Sequence, residues 1–179
     1  LDNRHKLSGT KQIKVSLFDA DNQLVKSATT TVPFTADAEK TSAKVSLEGL
    51  TNLKAWTAEI PYLYNVVVSQ QDDKGKEEMV FNTKYGFRNI EIKDGLVLVN
   101  GKRVFFKGVN TQDTHPEKGR TMDVPTMLRD IFMMKQANVN TVRTSHYPRQ
   151  PKMYAMFDYY GLYIMDEADV ECHKNWNDN

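Results

Sequence analysis

The strongest constraint on this 179-residue chain is the order of elements after about residue 94. There, short apolar runs alternate with amphipathic stretches of helical period. "GLVLVNGKRVFF" reads as a hairpin around Asn100-Gly101, a dipeptide that accepts positive φ at both turn positions. "VFFKGVN" is then a short strand and "DVPTMLRDIFMMKQAN" a helix. Pro125 suits the first turn of that helix, Met127, Ile131 and Met134 share one face, and Asn138 can cap its end. "VNTVR" is a second strand and "PKMYAMFDYYG" a second helix, with Pro151 near its start and Gly161 just past its end. "LYIMDE" is a third strand. Such a βαβαβ order with short connections predicts a parallel sheet. The methionines Met127, Met133, Met134, Met153 and Met156 are expected to pack between helices and sheet.

A parallel unit of this kind belongs either to a doubly wound sheet or to a (β/α)8 barrel. No glycine-rich phosphate loop follows the first strand, which argues against a nucleotide-binding unit. Polar residues instead follow every strand: Asn110, Gln112 and Asp113; Arg143, Ser145 and His146; Asp166, Glu167 and Glu171. Barrel enzymes gather their active sites at that end of the strands. Three strands cannot close a barrel of eight, so the reading is an incomplete (β/α)8 TIM barrel over residues 94–179.

Residues 11 to about 90 have another texture. In "KQIKVSLFD", Ile13, Val15 and Leu17 alternate with Lys14 and Ser16, the period of a half-buried strand. "QLVKSATTTV", "SAKVSLEGL", "YLYNVVVSQ" and "EEMVFNTKYGF" continue in the same way, with turn residues in "DADNQ" and "QDDKGK". Short strands without a helical run predict a β-sandwich, assigned here to residues 1–93. Trp56, Tyr62 and Tyr64, beside Pro61, read as packing at a domain edge rather than as a sugar-stacking platform.

Composition narrows the function. Lys, Arg, Asp and Glu are 26% of the residues, the formal net charge is +1, and no basic block occurs, so nucleic acid is not an expected partner. No apolar run is long enough to span a bilayer, so no membrane partner is expected. The single cysteine, Cys172, excludes an internal disulfide and a cysteine-rich zinc site. Residue 1 is Leu and no signal-like segment follows, so the chain is expected to be a piece of a longer protein. Its compartment, cytoplasmic or periplasmic, is not legible.

Several ordered motifs carry a resemblance. "GFRNIEIKDGLVLVNGKRVFFKGVN", "TVRTSHYP" and "YGLYIMDEADVECH" closely resemble glycoside hydrolase family 2, particularly its β-galactosidases. "LKAWTAEIPYLYNVVV" is similar to the immunoglobulin-like domain that precedes the barrel in that family. The likeness runs from roughly residue 50 to 173. It implies an immunoglobulin-like β-sandwich followed by the first three strands of the catalytic barrel. It also implies retaining hydrolysis of a β-galactoside substrate by a homo-oligomeric full-length enzyme. Retention needs two carboxyl groups about 5 Å apart. In the family both glutamates come from later barrel strands, so no catalytic residue is assigned here and the chain alone is expected to be inactive. By resemblance, His146 contacts sugar hydroxyls, and Glu171 and His173 are two ligands of a magnesium site. Magnesium prefers oxygen donors, so the histidine is unusual on chemistry alone. One departure stands out. Where many members read "GVNRHEHHP", this chain reads "GVNTQDTHP". Thr111 and Gln112 thus replace an Arg-His pair, Gln112 takes the place of a substrate-binding histidine, and His115 aligns with the last histidine.

Arg143 is expected to make an ion pair that holds its strand end, and Asp166 and Glu167 to face a helix N-terminus or a barrel arginine. Two rival functions follow from the same residues: another family specificity, such as β-glucuronidase, or a non-catalytic sandwich module that binds a partner or glycan.

Overall fold

The computed structural model describes residues 1–170. They form two compact units: Leu1–Lys54 with Leu63–Phe87, and Ala55–Tyr62 with the chain from Arg88 onward.

The first unit is a four-stranded antiparallel sheet. Its strands are β1 (Gly9–Phe18), β2 (Leu24–Phe34), β3 (Tyr64–Gln71) and β4 (Glu77–Tyr85), in the order β2-β1-β3-β4. Aspartates close both hairpins. Asp19 Oδ1 accepts from the backbone N–H groups of Asp21 and Gln23 at 2.9 and 2.8 Å, and Asp72 Oδ1 accepts from those of Lys74 and Lys76 at 2.9 and 2.8 Å. This local bonding is why Asp recurs in turns. Glu78 accepts from Lys11 at 2.7 Å and from Gln70 at 3.0 Å, which links β1, β3 and β4. Tyr64 is buried, and its hydroxyl accepts from the Lys54 amide at 2.8 Å.

One expected strand is missing. The "SAKVSLEGL" stretch lies in residues 42–50, which form no strand, although Val45 and Leu47 are still half-buried in the alternating pattern. A strand exists only through a ladder partner, and the sheet edges β2 and β4 pair with no further described strand.

In the second unit, β5 (Ile90–Lys93), β6 (Leu96–Val99) and β7 (Lys102–Arg103) form an antiparallel meander. Asn100-Gly101 turns β6 into β7 with φ 52° and 74°, as the dipeptide predicts. The preceding Asp94-Gly95 makes a second turn of the same kind, and the unit's longer segment starts at Arg88, ahead of the texture change in the sequence.

The parallel sheet follows: β8 (Gly108–Asn110), α1 (Val124–Gln136), β9 (Thr141–Arg143), α2 (Pro151–Tyr160) and β10 (Tyr163–Met165), with strand order β8-β9-β10. Each end of α1 is chemically marked. Asp123 caps the start by accepting from Thr126 N, and Asn138, at φ 57°, turns the chain away just past the end. Helix α2 stops at Gly161, whose φ of 75° suits a residue without Cβ. Met122, Met127, Ile131, Met134, Val142, Met153, Phe157 and Leu162 make the core between helices and sheet. Met156 packs against that core, but Met133 is 57% exposed, because its position on α1 falls off the buried face.

Residues 55–62 belong to this unit too, as a strap at the N-terminal end of the parallel strands. Trp56 is 1% exposed, donates from Nε1 to the Asp158 carbonyl at 2.8 Å and meets Tyr163 edge-on at 5.6 Å. Lys135 Nζ donates to the carbonyls of Ala58 and Gly161, at 3.3 and 3.1 Å. Trp56 and Tyr64 are each buried, so neither offers an open ring face for a sugar to stack on.

Candidate functional site

Parallel pairing brings the C-terminal strand ends to one edge: Asn110 is level with Arg143, and Arg143 with Met165. The side chains just beyond these positions form a connected polar network. Arg143 pairs with Glu167 and lies 3.4 Å from Asn110 Oδ1. His146 Nδ1 sits 2.9 Å from Glu167 Oε2 and 3.5 Å from Arg143 Nη2. The Ser145–His146 peptide is cis. The shorter contact, to a carboxylate that can only accept, assigns the proton to Nδ1. In the neutral ring Nε2 is then an acceptor; in the cation it becomes a donor.

Partial burial pushes the Glu167 carboxyl up, but hydrogen bonds from His146 and Arg143 outweigh it and hold the group below its ordinary value. Glu167 is therefore a fixed anion against which the imidazole is aimed. Beneath it, Thr144 Oγ1 accepts from the Glu167 amide at 2.9 Å and donates to Asp166 at 2.8 Å. Tyr154 donates to the same Asp166 oxygen at 2.6 Å. Burial, reinforced by that bond to Asp166, raises the Tyr154 phenol pKa, so it stays a donor. The expected Arg143 ion pair is present, and Glu167 faces a barrel arginine; Asp166 faces two hydroxyls instead.

Gln112 is exposed on the loop after β8, next to the loop that carries His146. Ser145 Oγ donates to the Thr111 carbonyl at 3.2 Å, and the Asp113 amide donates to the Tyr147 hydroxyl at 3.1 Å, so the two loops are laced together. His115 has a local role: its Nδ1 accepts from the amides of Glu117 and Lys118 at 3.1 and 3.2 Å and folds its own loop. Glu171 and His173 lie outside the described residues. Among the described residues, no group of three or more His, Cys, Asp or Glu side chains is gathered as a metal site.

Sequence reasoning missed Arg149. It is 5% exposed and donates to the carbonyls of Ser145 and Tyr147 at 3.0 Å each, and to the Thr111 carbonyl. The available signal was an arginine between two prolines, in "YPRQP", directly after the histidine motif.

A sheet of consecutive parallel strands with its polar network at the C-terminal edge defines the opening of a TIM-barrel domain. The chain belongs to glycosyl hydrolases family 2: residues 1–88 match the model of that name, and residues 90–179 match the one described as its TIM barrel domain. The β-galactosidase of Streptococcus thermophilus is 50% identical over 132 residues, 74% of this chain and 13% of that protein. The β-galactosidase of Alteromonas mediterranea is 50% identical over 122 residues, 67% of this chain and 12% of the relative. The chain thus spans about an eighth of the length of these relatives. Among solved structures, a family 2 member from Bacteroides cellulosilyticus superposes with a TM-score of 0.84 at 26% identity, covering 93% of this chain and 23% of the other. A β-glucuronidase from Ruminococcus gnavus in complex with D-glucuronic acid gives 0.74 at 27% identity, over 88% of this chain and 25% of that one.

Proposed function

We propose that the full-length protein is a retaining β-galactosidase that hydrolyses terminal non-reducing β-D-galactose residues. The observation that carries this reading is the His146–Glu167–Arg143 constellation at the C-terminal strand edge, in a chain 50% identical to a β-galactosidase over 132 of its residues. With Nδ1 held by Glu167, His146 presents Nε2 to a sugar hydroxyl in a fixed direction. Gln112, whose amide both donates and accepts, contacts a further hydroxyl from the adjacent loop. The nucleophile and the acid/base are two carboxyl groups about 5 Å apart supplied by later strands, so the 179-residue chain alone does not turn over. Glu171 and His173 hold magnesium in this reading. The carboxylate suits that ion, and a bound Mg2+ would supply a fixed positive charge.

Assay of the full-length protein on aryl β-galactosides and aryl β-glucuronides tests the proposal. Turnover of the galactosides with retained anomeric configuration is expected, and exclusive turnover of glucuronides overturns it. The glucuronidase reading has its support in the solved structures, at 27% identity. Removal of divalent ions should lower the activity, and Mg2+ should restore it. An activity indifferent to chelation removes the metal assignment while leaving the sugar assignment intact.

A further inference from the structure

We propose that Arg149 is a positioning residue for His146, setting the direction in which the imidazole meets the sugar. Its guanidinium binds the backbone carbonyls on both sides of that histidine, Ser145 O through Nη2 and Tyr147 O through Nη1, at 3.0 Å each. The same Nη2 donates to the Thr111 carbonyl and lies 3.3 Å from Thr111 Oγ1, one residue before Gln112. Nε stands 3.4 Å from Asp113 Oδ1 without forming a directed hydrogen bond. The guanidinium carbon lies 4.4 Å over the Tyr147 ring. One planar group thus spans the loop after β8 and the loop after β9, the two loops that carry Gln112 and His146.

A guanidinium whose side chain is 1% exposed is retained only where its donors are matched, and here backbone carbonyls do most of the matching. These are groups that a side-chain substitution leaves in place, so of this clamp only the arginine can be removed, and the Ser145–Thr111 and Asp113–Tyr147 bonds between the loops remain without it. Lysine has three donors on one atom and cannot reach carbonyls on both sides of His146 together with Thr111. Without the fork, residues 145–147 lose the anchors flanking the histidine, and the imidazole leaves the line set by Glu167. The carboxylate remains in place, because Arg143 still pairs with it and the Thr144 hydroxyl still holds the Glu167 backbone amide.

This inference rests on the reading of His146 as a sugar-contacting residue, and its test separates the two. In the full-length protein, Arg149→Lys should lower kcat/KM on an aryl β-galactoside by about tenfold to a hundredfold, the scale of a misplaced contact. In a His146→Ala background the same substitution should change kcat/KM by less than about twofold, because the partner through which it acts is gone. A general loss of folding would instead multiply the two effects. Asp113→Asn, which only weakens the clamp, should give a smaller loss with the same dependence on His146. A crystal structure of the Arg149→Lys protein should show the 2.9 Å contact between His146 and Glu167 broken while Arg143 still pairs with Glu167. An unchanged His146–Glu167 contact, or losses that multiply, overturns the role of Arg149. Absence of turnover on every glycoside overturns the functional reading instead, and the crystal structure still decides the clamp.

Discussion

Gly161→Ala should destabilise the second unit far more than a glycine-to-alanine change in an ordinary turn. Two costs combine at this position. The first is conformational: φ is 75°, and an L-residue there costs about 1–2 kcal/mol. The second is contact: an added Cβ would lie 2.3 Å from the Ala58 carbonyl oxygen and 2.9 Å from its carbon, and both are backbone atoms that cannot rotate away. The strap must therefore lift. Ala58 is two residues from Trp56, which is almost fully buried, and loss of a buried tryptophan's packing costs about 3–5 kcal/mol. Partial displacement brings the total to about 3–4 kcal/mol. Gly101→Ala is the control, because its φ is 74° but nothing lies within 4 Å of the new Cβ. It should cost about 1–2 kcal/mol. Urea denaturation followed by tryptophan fluorescence in a Trp176→Phe background measures both. The Gly161 variant should also show a red-shifted native emission from Trp56. Equal losses for the two variants, with unchanged emission, would refute the idea that the strap is seated against Gly161.

Three further outcomes follow. Asp123→Ala removes the N-cap of α1 and should cost about 1 kcal/mol in chemical denaturation, with Asp123→Asn nearly neutral. Glu167 has a folded pKa below its ordinary 4.5, so its contribution to stability is complete above that value and fades as pH falls through the lower folded pKa. Melting temperatures measured across the acid range should fall less steeply for Glu167→Gln than for the native protein. His146→Phe in the full-length protein should lower kcat/KM about tenfold to a hundredfold, the worth of one or two hydrogen bonds to sugar hydroxyls, with only a small fall in the melting temperature of the unit, because the lost bond to Glu167 is partly exposed.

The parallel unit was legible because each of its boundaries has a chemical cause in the sequence. Pro125 and Pro151 start the helices, Asn138 and Gly161 end them, and Met127, Ile131 and Met134 repeat at helical spacing. The alternation of Val45 and Leu47 survives as half-burial but not as a strand, because pairing depends on partners far away in sequence. The strap was illegible for a related reason. Trp56 carries no periodic signal, and its partners Asp158 and Tyr163 lie about a hundred residues downstream. In the candidate site, His146 and Arg143 could be proposed from a motif and from their place at a strand end. Arg149 could not, since its partners are mostly carbonyls, and the sequence does not indicate which way a carbonyl points.

The second unit separates stability from chemistry along its strands. At the N-terminal end, the strap, Trp56, Lys135 and Gly161 bind helix ends to sheet through burial and backbone contacts. At the C-terminal end, Asn110 is exposed and Arg143, His146 and Glu167 are only partly buried, so these polar residues add little apolar burial but are available to a ligand. Barrel folds tolerate change at the second end because the first holds the strands. The two substitutions argued above should therefore dissociate. Gly161→Ala should lower stability and, below its melting transition, leave kcat/KM for the full-length protein near native. His146→Phe should do the reverse. Arg149 lies between these classes, buried like a core residue yet bonded to the loops of the site, and only its dependence on His146 distinguishes positioning from packing.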